Sequence, residues 1–352
     1  MDRPSTVRGA LLGTALGDAA GLVTEGLSRR RLARLYPGSL GPNLVLRRGM
    51  MSDDGEHACM TAQALVVSAG DPQRFARSLG WRLRLWLLGL PAGIGLATGR
   101  AILKLWLGFP PSRSGVFSAG NGPAMRAPII GAAWCDDRDT LMELVRISTR
   151  LTHTDPKAEW GAMAVALAAA TAARKEAADT ERFISELSKH LGDNAGEFLD
   201  LMKQVAVSVQ CGESVSEFSD RLGLSQGVGG YMFHTVPVVL HLWMQNPVSY
   251  EKAVTEVIRL GGDTDTTAAI LGGILGAGMG VEGLPDHWLT RLMDWPRSRR
   301  WMLSLADRLV QVRQTGRPMR PLFLFWPALP VRNAIFLTLV LGHGFRRLLP
   351  PW

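Results

Sequence analysis

Cysteine is scarce in this chain, and the few cysteines lie far apart. The 352 residues include three, Cys59, Cys135 and Cys211, and no two of them have C-x-x-C spacing. An odd number of widely separated cysteines argues against a disulfide framework and against a cysteine-rich zinc site. The scarcity fits a reducing compartment, and we predict a cytoplasmic protein.

Sustained alternation of β-branched and polar residues is also rare, and no repeat of ~20–50 residues is present. Apolar residues recur instead at helical spacing, which predicts an all-α fold. The predicted helices cover residues 7–27, 58–69, 74–88, 140–151, 157–178, 180–191, 195–209, 236–243, 250–260, 266–280 and 285–310. A hydrophobic content of 47% with 20% charged residues is typical of a folded globular protein.

The N-terminal apolar stretch lacks a clear signal-peptide cleavage pattern and is soon interrupted by Asp18 and Glu25. We interpret it as part of the mature fold. The formal net charge of +8 could indicate a nucleic-acid or anionic membrane partner. Much of the basic charge is spread over predicted helices, for example Arg82 and Arg100, so we expect a solvated surface and no specific nucleic-acid partner.

Two acidic clusters, SDDGE at residues 52–56 and GGDTDT at residues 261–266, each stand at the start of an apolar segment. Carboxylates and hydroxyls are the hard oxygen ligands that Mg²⁺, Mn²⁺ and Ca²⁺ prefer. The alternative is that both clusters only cap helix N-termini. Capping explains the first cluster incompletely, because Gly55 stands where a capping box needs Glu or Gln. Adjacent carboxylates repel unless protons or a cation neutralise them, which favours a metal site.

Further segments look like parts of the same site. Residues 9–21 are too small and apolar for an ordinary surface helix, yet they include Asp18, and Glu25 follows seven residues later on the same face. We therefore expect these carboxylates to face a specific partner and not bulk solvent. Residues 90–95, 118–126 and 226–231 are glycine-rich and could contact a ligand through backbone N–H groups, although flexible connectors have the same composition.

In this order, the segments resemble those of the ADP-ribosylglycohydrolase family. The matching segments are GALLGTALGDA at 9–19 with Glu25 downstream, SDD at 52–54, GNGPAMR at 120–126, Thr152-His153, Gly230-Tyr231 and GGDTDT at 261–266. The resemblance covers roughly residues 8 to 310, and several short motifs in a fixed order are more specific than any one of them.

The resemblance implies a compact all-α, multi-helix bundle whose metal-containing cleft cleaves the glycosidic bond between ADP-ribose and a protein side chain or small conjugate. It implies two Mg²⁺ ions, with Mn²⁺ as an alternative. The implied metal ligands are Ser52, Asp53, Asp54, Asp263, Asp265 and Thr266. The implied substrate-binding residues are Gly120, Asn121, Gly122, Met125, His153 and Tyr231, and the candidates for proton transfer are Glu25 and Asp54.

Two positions depart from the family pattern. Gly55 stands where many relatives have Thr, and Pro123 removes an N–H donor from a loop expected to meet substrate. The alternative to an active hydrolase is therefore a catalytically inactive ADP-ribose-binding or structural relative.

Near Gly316 the resemblance ends, so we predict a domain of residues 1–315 and an apolar, basic C-terminal extension of residues 316–352. Residues 321–331 and 334–345 form two apolar runs, each well short of the ~20 residues that span a bilayer. We predict that the extension docks on the body or forms a homo-oligomer contact, ahead of an interfacial membrane anchor.

Overall fold

A computed structural model describes residues 2–176 and 178–348 of the chain. Within these residues the fold consists of α-helices, short 3₁₀ turns and isolated β-bridges, which confirms the all-α prediction. The α-helices are α1 (Arg3–Gly21), α2 (Arg29–Leu35), α3 (Asp53–Ser68), α4 (Pro72–Leu88), α5 (Leu96–Trp106), α6 (Ala127–Ala133), α7 (Arg138–Arg150), α8 (Pro156–Ala173), α9 (Thr180–Leu191), α10 (Gly196–Gln210), α11 (Val215–Arg221), α12 (Met232–Met244), α13 (Tyr250–Arg259), α14 (Thr264–Met279), α15 (Asp286–Leu289), α16 (Arg299–Thr315) and α17 (Ala328–Arg346).

Short polar side chains begin many of these helices. Each accepts a hydrogen bond from a backbone N–H of the first turn, which has no partner inside the helix. The residues that do so are Asp2, Ser28, Ser52, Asp71, Asp137, Asp155, Asp179, Ser214, Ser249 and Ser298. Helix α14 differs, because Asp263 stands at its N-cap position without making a capping hydrogen bond.

Helices α1 and α14 form the centre of the bundle and pack backbone against backbone. A glycine stands at every fourth position of α1, at residues 9, 13, 17 and 21. A Cβ atom on Gly13 would lie 2.2 Å from the carbonyl oxygen of Gly272, and one on Gly17 would lie 2.1 Å from that of Ala268. These distances are far below van der Waals contact, so the helix spacing requires glycine on α1.

The pairing of α1 with α14 is antiparallel and determines what meets at one end. The C-terminal turn of α1 lies beside the first turn of α14, where the Thr264 hydroxyl donates to the carbonyl oxygen of Gly21 at 2.8 Å. This arrangement brings Asp18, near the end of α1, close to Asp265, in the first turn of α14. Around this pair the alanine-rich helix α8, with nearly all its residues buried, packs against α6 and α14.

The prediction of one helix over residues 285–310 is wrong. Helix α15 ends at Leu289 and α16 begins at Arg299. Pro296 lies between them and has no N–H to donate to a helix. The intervening segment also turns the Asp294 carboxylate inward, where it accepts a hydrogen bond from the Met51 N–H at 3.2 Å.

Within the C-terminal extension, α17 continues through Arg332-Asn333, the pair that separates the two predicted apolar runs, whereas residues 317–325 precede it outside any helix. Both polar residues are buried inside α17, because Arg332 pairs with Asp294 and the Asn333 amide donates to the Gly89 carbonyl. By length and a mean hydropathy of 1.3, α17 could cross a membrane. One face of it packs on the body, whereas Ile335 and Phe345 are exposed. The division at residue 315, and any membrane or oligomer contact, stay predictions.

We predict that Gly13→Ala destabilises the protein, because the new methyl group has no space between the two backbones. Overpacking of this kind costs about 1–3 kcal/mol, which lowers the melting temperature measured by circular dichroism. The matched control is Gly99→Ala in α5, where the nearest atom to the new Cβ is the Ile94 Cγ2 at 3.5 Å. Equal melting temperatures for the two variants would contradict the packing argument.

Candidate active site

Three buried carboxylates from three helices meet at the end of the α1–α14 pair. They belong to Asp18 of α1, Asp54 of α3 and Asp265 of α14, and one oxygen of each lies within 4.8 Å of the other two. All three residues are at most 4% exposed. The Asp54 Oδ1 is buried without a hydrogen-bond partner among the described residues. Such an atom is costly unless something outside the protein pairs with it.

Asp18 holds the start of α3 in place. Its carboxylate accepts hydrogen bonds from the Ser52 N–H at 2.8 Å and from the Gly55 N–H at 2.8 Å. A Cβ on Gly55 would lie 2.6 Å from the Met51 sulfur and 3.1 Å from the Asp18 Oδ2. The glycine that departs from the family pattern is therefore needed here, because Asp18 and Met51 occupy the space of a side chain.

Capping accounts for one acidic cluster and not for the other. Ser52 caps α3 by accepting from the Asp54 N–H, at a long 3.4 Å, and its hydroxyl donates to the Asp54 carboxylate at 3.2 Å. Asp263 instead accepts from the Asn121 side-chain amide at 2.7 Å. The Thr266 hydroxyl donates to the Asp54 Oδ2 at 3.1 Å, which joins the two clusters directly.

Burial and mutual repulsion disfavour the charged forms of these carboxylates. Burial, followed by the neighbouring carboxylates, raises the pKa of Asp53, Asp54 and Asp265 well above the ordinary value. Burial also raises the pKa of Asp18 to about 7, although its backbone hydrogen bonds oppose the change. A divalent cation would offset both effects, and the oxygen-only donor set with an unpaired Asp54 oxygen fits a hard cation such as Mg²⁺.

A cavity of about 360 Å³ opens beside the carboxylates and brings together most of the predicted site residues. Those that line it are Glu25, Asp53, Gly120, Asn121, Gly122, Met125, His153, Asp263, Asp265 and Thr266. Ser52 and Asp54 are buried beneath it, and Tyr231 lies outside its lining, with its hydroxyl 3.3 Å from the Lys157 ammonium.

Backbone and side-chain contacts shape the loop that closes the cavity. The Asn121 N–H donates to the Gly230 carbonyl at 2.9 Å, which ties two glycine-rich segments together. The His153 ring packs on this loop, since a Cβ on Gly120 would lie 3.1 Å from its Nε2. Burial and the nearby Arg126 guanidinium lower the pKa of His153 to about 3, so the ring is neutral near physiological pH.

A second cavity of about 470 Å³ adjoins the first and shares Glu25, Gly230 and Asp263 with it. Its wall includes the glycine-rich residues 226–230 and Gly262. Gly262 has φ +83°, and a Cβ there would lie 2.1 Å from the Val228 carbonyl oxygen, so only glycine fits. Glu25 and Asp263 thus lie between the two cavities.

Asp18 is the acidic residue of the cluster that the predicted ligand set omitted. Its sequence signal was present, because it is a carboxylate inside the small apolar segment 9–21. No local pattern showed that its oxygens reach the backbone of residues 52–55, since that contact spans helices α1 and α3.

Comparison with known proteins matches residues 1–318 to the family model described as ADP-ribosylglycohydrolase. An uncharacterised protein of Archaeoglobus fulgidus is 30% identical, over 87% of this chain and 96% of that protein. The ADP-ribosyl-[dinitrogen reductase] glycohydrolase of Rhodospirillum rubrum is 25% identical, over 81% of this chain and 89% of the relative. The chicken ADP-ribosylhydrolase ARH3 is 27% identical, over 81% and 88%.

Among solved structures, one titled "ADP-ribosylglycohydrolase-related protein complex" superposes with a TM-score of 0.63 at 25% identity. The match covers 89% of this chain and 99% of that chain.

We predict that Asp18→Asn weakens cation binding by ~10–100-fold, the usual effect of removing a group that orients or joins a metal site. The variant loses a negative charge and turns an NH₂ group toward the N–H groups of Ser52 and Gly55. Calorimetric titration with Mn²⁺ measures the change, and Asp286→Asn, an exposed carboxylate on α15, is the control. Unchanged Mn²⁺ affinity in a folded Asp18→Asn protein would remove Asp18 from the site.

Proposed function

Because the chain belongs to the ADP-ribosylglycohydrolase family, we propose that it is a metal-dependent hydrolase that cleaves the glycosidic bond between ADP-ribose and an acceptor. The family resemblance expected from the motifs is confirmed, and membership indicates ADP-ribosyl hydrolase activity. The observation that supports the proposal most is the buried triad of Asp18, Asp54 and Asp265 beside the cavity that contains Glu25.

The names of the relatives support the substrate class. One acts on ADP-ribosyl-dinitrogen reductase and others are ADP-ribosylhydrolases. We propose that the acceptor here is a protein side chain or a small conjugate. The two adjoining cavities, of about 360 and 470 Å³, are consistent with a ligand that extends past Glu25 in both directions.

We propose that the acidic clusters hold two Mg²⁺ ions, which Mn²⁺ can replace. The residues that would hold them are Ser52, Asp53, Asp54, Asp263, Asp265 and Thr266, with Asp18 completing the buried side. When bound, the cations supply positive charge that orients ribose hydroxyls and makes water more acidic. The protein contributes rigidity, because Asp54 is linked by hydrogen bonds to Ser52 and Thr266.

For proton transfer we favour Glu25 over Asp54, the other candidate. Glu25 lines both cavities, whereas Asp54 is 1% exposed and lies beneath the surface. Desolvation by the surrounding protein and the Asp263 carboxylate raise the pKa of Glu25, which favours a proton that can be given to a leaving group. Cleavage at the anomeric carbon places positive charge on the ribose ring, which the nearby Asp53 and Asp265 carboxylates would stabilise.

Substrate contacts are proposed for the residues that line the first cavity. Gly120, Asn121 and Gly122 offer backbone and amide donors, and neutral His153 offers a ring nitrogen. Met125 adds an apolar wall. Tyr231 stands beyond the lining and remains a candidate for contact with the far end of the ligand.

The alternative function is a catalytically inactive ADP-ribose-binding relative. The Gly55 departure gives it little support, because the contacts of Gly55 explain the residue without loss of a carboxylate. Cytoplasmic localisation and contact of the extension with a membrane surface or a second copy also stay predictions.

We predict that the protein releases ADP-ribose from at least one defined conjugate in the presence of Mg²⁺. We expect Asp53→Asn and Asp265→Asn to lower kcat by about 100-fold or more, because groups that stabilise charge in the transition state contribute on that order. Chromatographic measurement of free ADP-ribose, across Arg-linked, Ser-linked and nucleic-acid-linked conjugates, provides the test.

The control variant is Asp200→Asn on α10, an exposed carboxylate paired with Lys203 on the same helix. Full turnover in Asp53→Asn and Asp265→Asn would refute the proposed centre. Tight binding of ADP-ribose by the unmodified protein, with no turnover of any conjugate, would establish the inactive alternative.

A further inference from the structure

The chain continues past the end of the family match and returns over the body as the C-terminal strap, defined here as residues 319–348. The family model ends at residue 318. The strap begins with a hydrogen bond from the Met319 N–H to the Val66 carbonyl at 3.0 Å. The Gln63 side chain then pairs with both the N–H and the carbonyl of Leu322, at 2.9 and 2.8 Å. Both partners belong to α3, whose first turn contains the acidic cluster.

Inside the strap, Arg332 of α17 secures the residue that leads into this cluster. Its Nη2 donates to the Met51 carbonyl and to the Asp294 carboxylate, each at 2.5 Å. Asp294 in turn accepts from the Met51 N–H at 3.2 Å. Both polar groups of Met51 are therefore bound by one buried ion pair. Met51 directly precedes Ser52, the N-cap of α3, so the position of Met51 affects where the first turn of α3 places Asp53 and Asp54.

The same guanidinium reaches Glu56, on the other side of the cluster. Arg332 Nη1 lies 3.5 Å from the Glu56 carboxylate, which also pairs with Arg297 at 2.5 Å and accepts from the Trp86 indole N–H at 2.5 Å. All of the charged groups are at most 5% exposed. Removal of Arg332 would leave two buried carboxylates, Asp294 and Glu56, with one arginine between them, which buried sites tolerate poorly.

At the other end of α17, Arg347 holds the segment of Glu25. Its guanidinium donates to the Glu25 carbonyl at 2.7 Å and to the Val23 carbonyl. Its own carbonyl accepts from the Arg31 guanidinium at 2.8 Å. These contacts hold the backbone of Glu25, whose side chain lines the cavity.

Between the two arginines, the inner face of α17 packs on the segments that precede Glu25 and Met51. Phe336 is 3% exposed and joins a small core with Leu22, Val23, Leu44 and Met50. The His343 Nε2 lies 2.6 Å from the Leu44 carbonyl oxygen. Helix α17 and its C-cap residue thus connect the contact at Met51 with the contact at Glu25.

We propose that the C-terminal strap is a positioning element of the active site. Arg332 orients the metal-binding segment of residues 51–54, and Arg347 orients Glu25. Neither arginine lines the cavity or touches the site of reaction. This inference rests on the proposed function for the role of Glu25, whereas the role of Arg332 in cation binding can be tested without it.

The first test is Mn²⁺ binding by the full chain carrying Arg332→Ala or Arg332→Lys, measured by calorimetry together with thermal melting. We expect Arg332→Ala to lose ~10–100-fold in Mn²⁺ affinity. Lysine keeps the charge but lacks the guanidinium fork that reaches Met51 and Asp294 together, so Arg332→Lys should fold and fall between alanine and the unmodified protein. Unmodified Mn²⁺ affinity in Arg332→Lys, with only the melting temperature lowered, would show a purely structural role and overturn the inference.

The second test compares Arg347→Ala with Arg346→Ala, its exposed neighbour on the same turn. We expect Arg347→Ala to lower kcat on the order of 10–100-fold, as misplacement of a reacting group does, with Mn²⁺ affinity unchanged. Arg346→Ala should match the unmodified protein. Identical kcat and ADP-ribose affinity in both variants would overturn the role of Arg347.

Failure of the proposed function gives a different pattern. If the unmodified protein binds Mn²⁺ and turns over no conjugate, the hydrolase proposal fails, while the Mn²⁺ affinities of the Arg332 variants still decide whether the strap orients the acidic segment.

Discussion

The close approach of α1 and α14 is the contact on which the rest of the molecule depends. Glycine on one helix admits the carbonyl oxygens of the other to distances that any side chain would forbid. Because the two helices are antiparallel, their touching ends carry Asp18 and Asp265. A wider separation would move these carboxylates apart and leave no compact cation site.

Charge is concentrated at that junction and is balanced in two ways. Asp53, Asp54 and Asp265 have raised pKa values, from burial first and from neighbouring carboxylates second, so they need a cation or protons. The carboxylates one layer behind, Glu56 and Asp294, are neutralised by Arg297 and Arg332 from within the protein. The inner carboxylates thus have partners within the protein, while the outer layer stays available for an external ligand.

Sequence patterns predicted the helical class, the family and the two acidic clusters, because each depends on local spacing or on short motifs. They failed where a distant residue decides the outcome. The segment 285–310 reads as one helix, yet it breaks at Pro296 and sends Asp294 inward toward Met51. Arg332-Asn333 separates the apolar runs 321–331 and 334–345 in the sequence, yet both residues have buried partners and α17 continues through them from Ala328 to Arg346.

By itself, then, the sequence determined which side chains could form a cation site and what family the chain joins, since oxygen ligands and glycine spacing are properties of the chain. Only the tertiary structure decided which carboxylates converge, because Asp18, Asp54 and Asp265 are separated by many residues and meet through helix packing. It also decided that the C-terminal strap contacts the segments of Met51 and Glu25. The contacts of Arg332 with Met51 and of Arg347 with Glu25 join residues that are far apart in the sequence, so no local pattern predicts them.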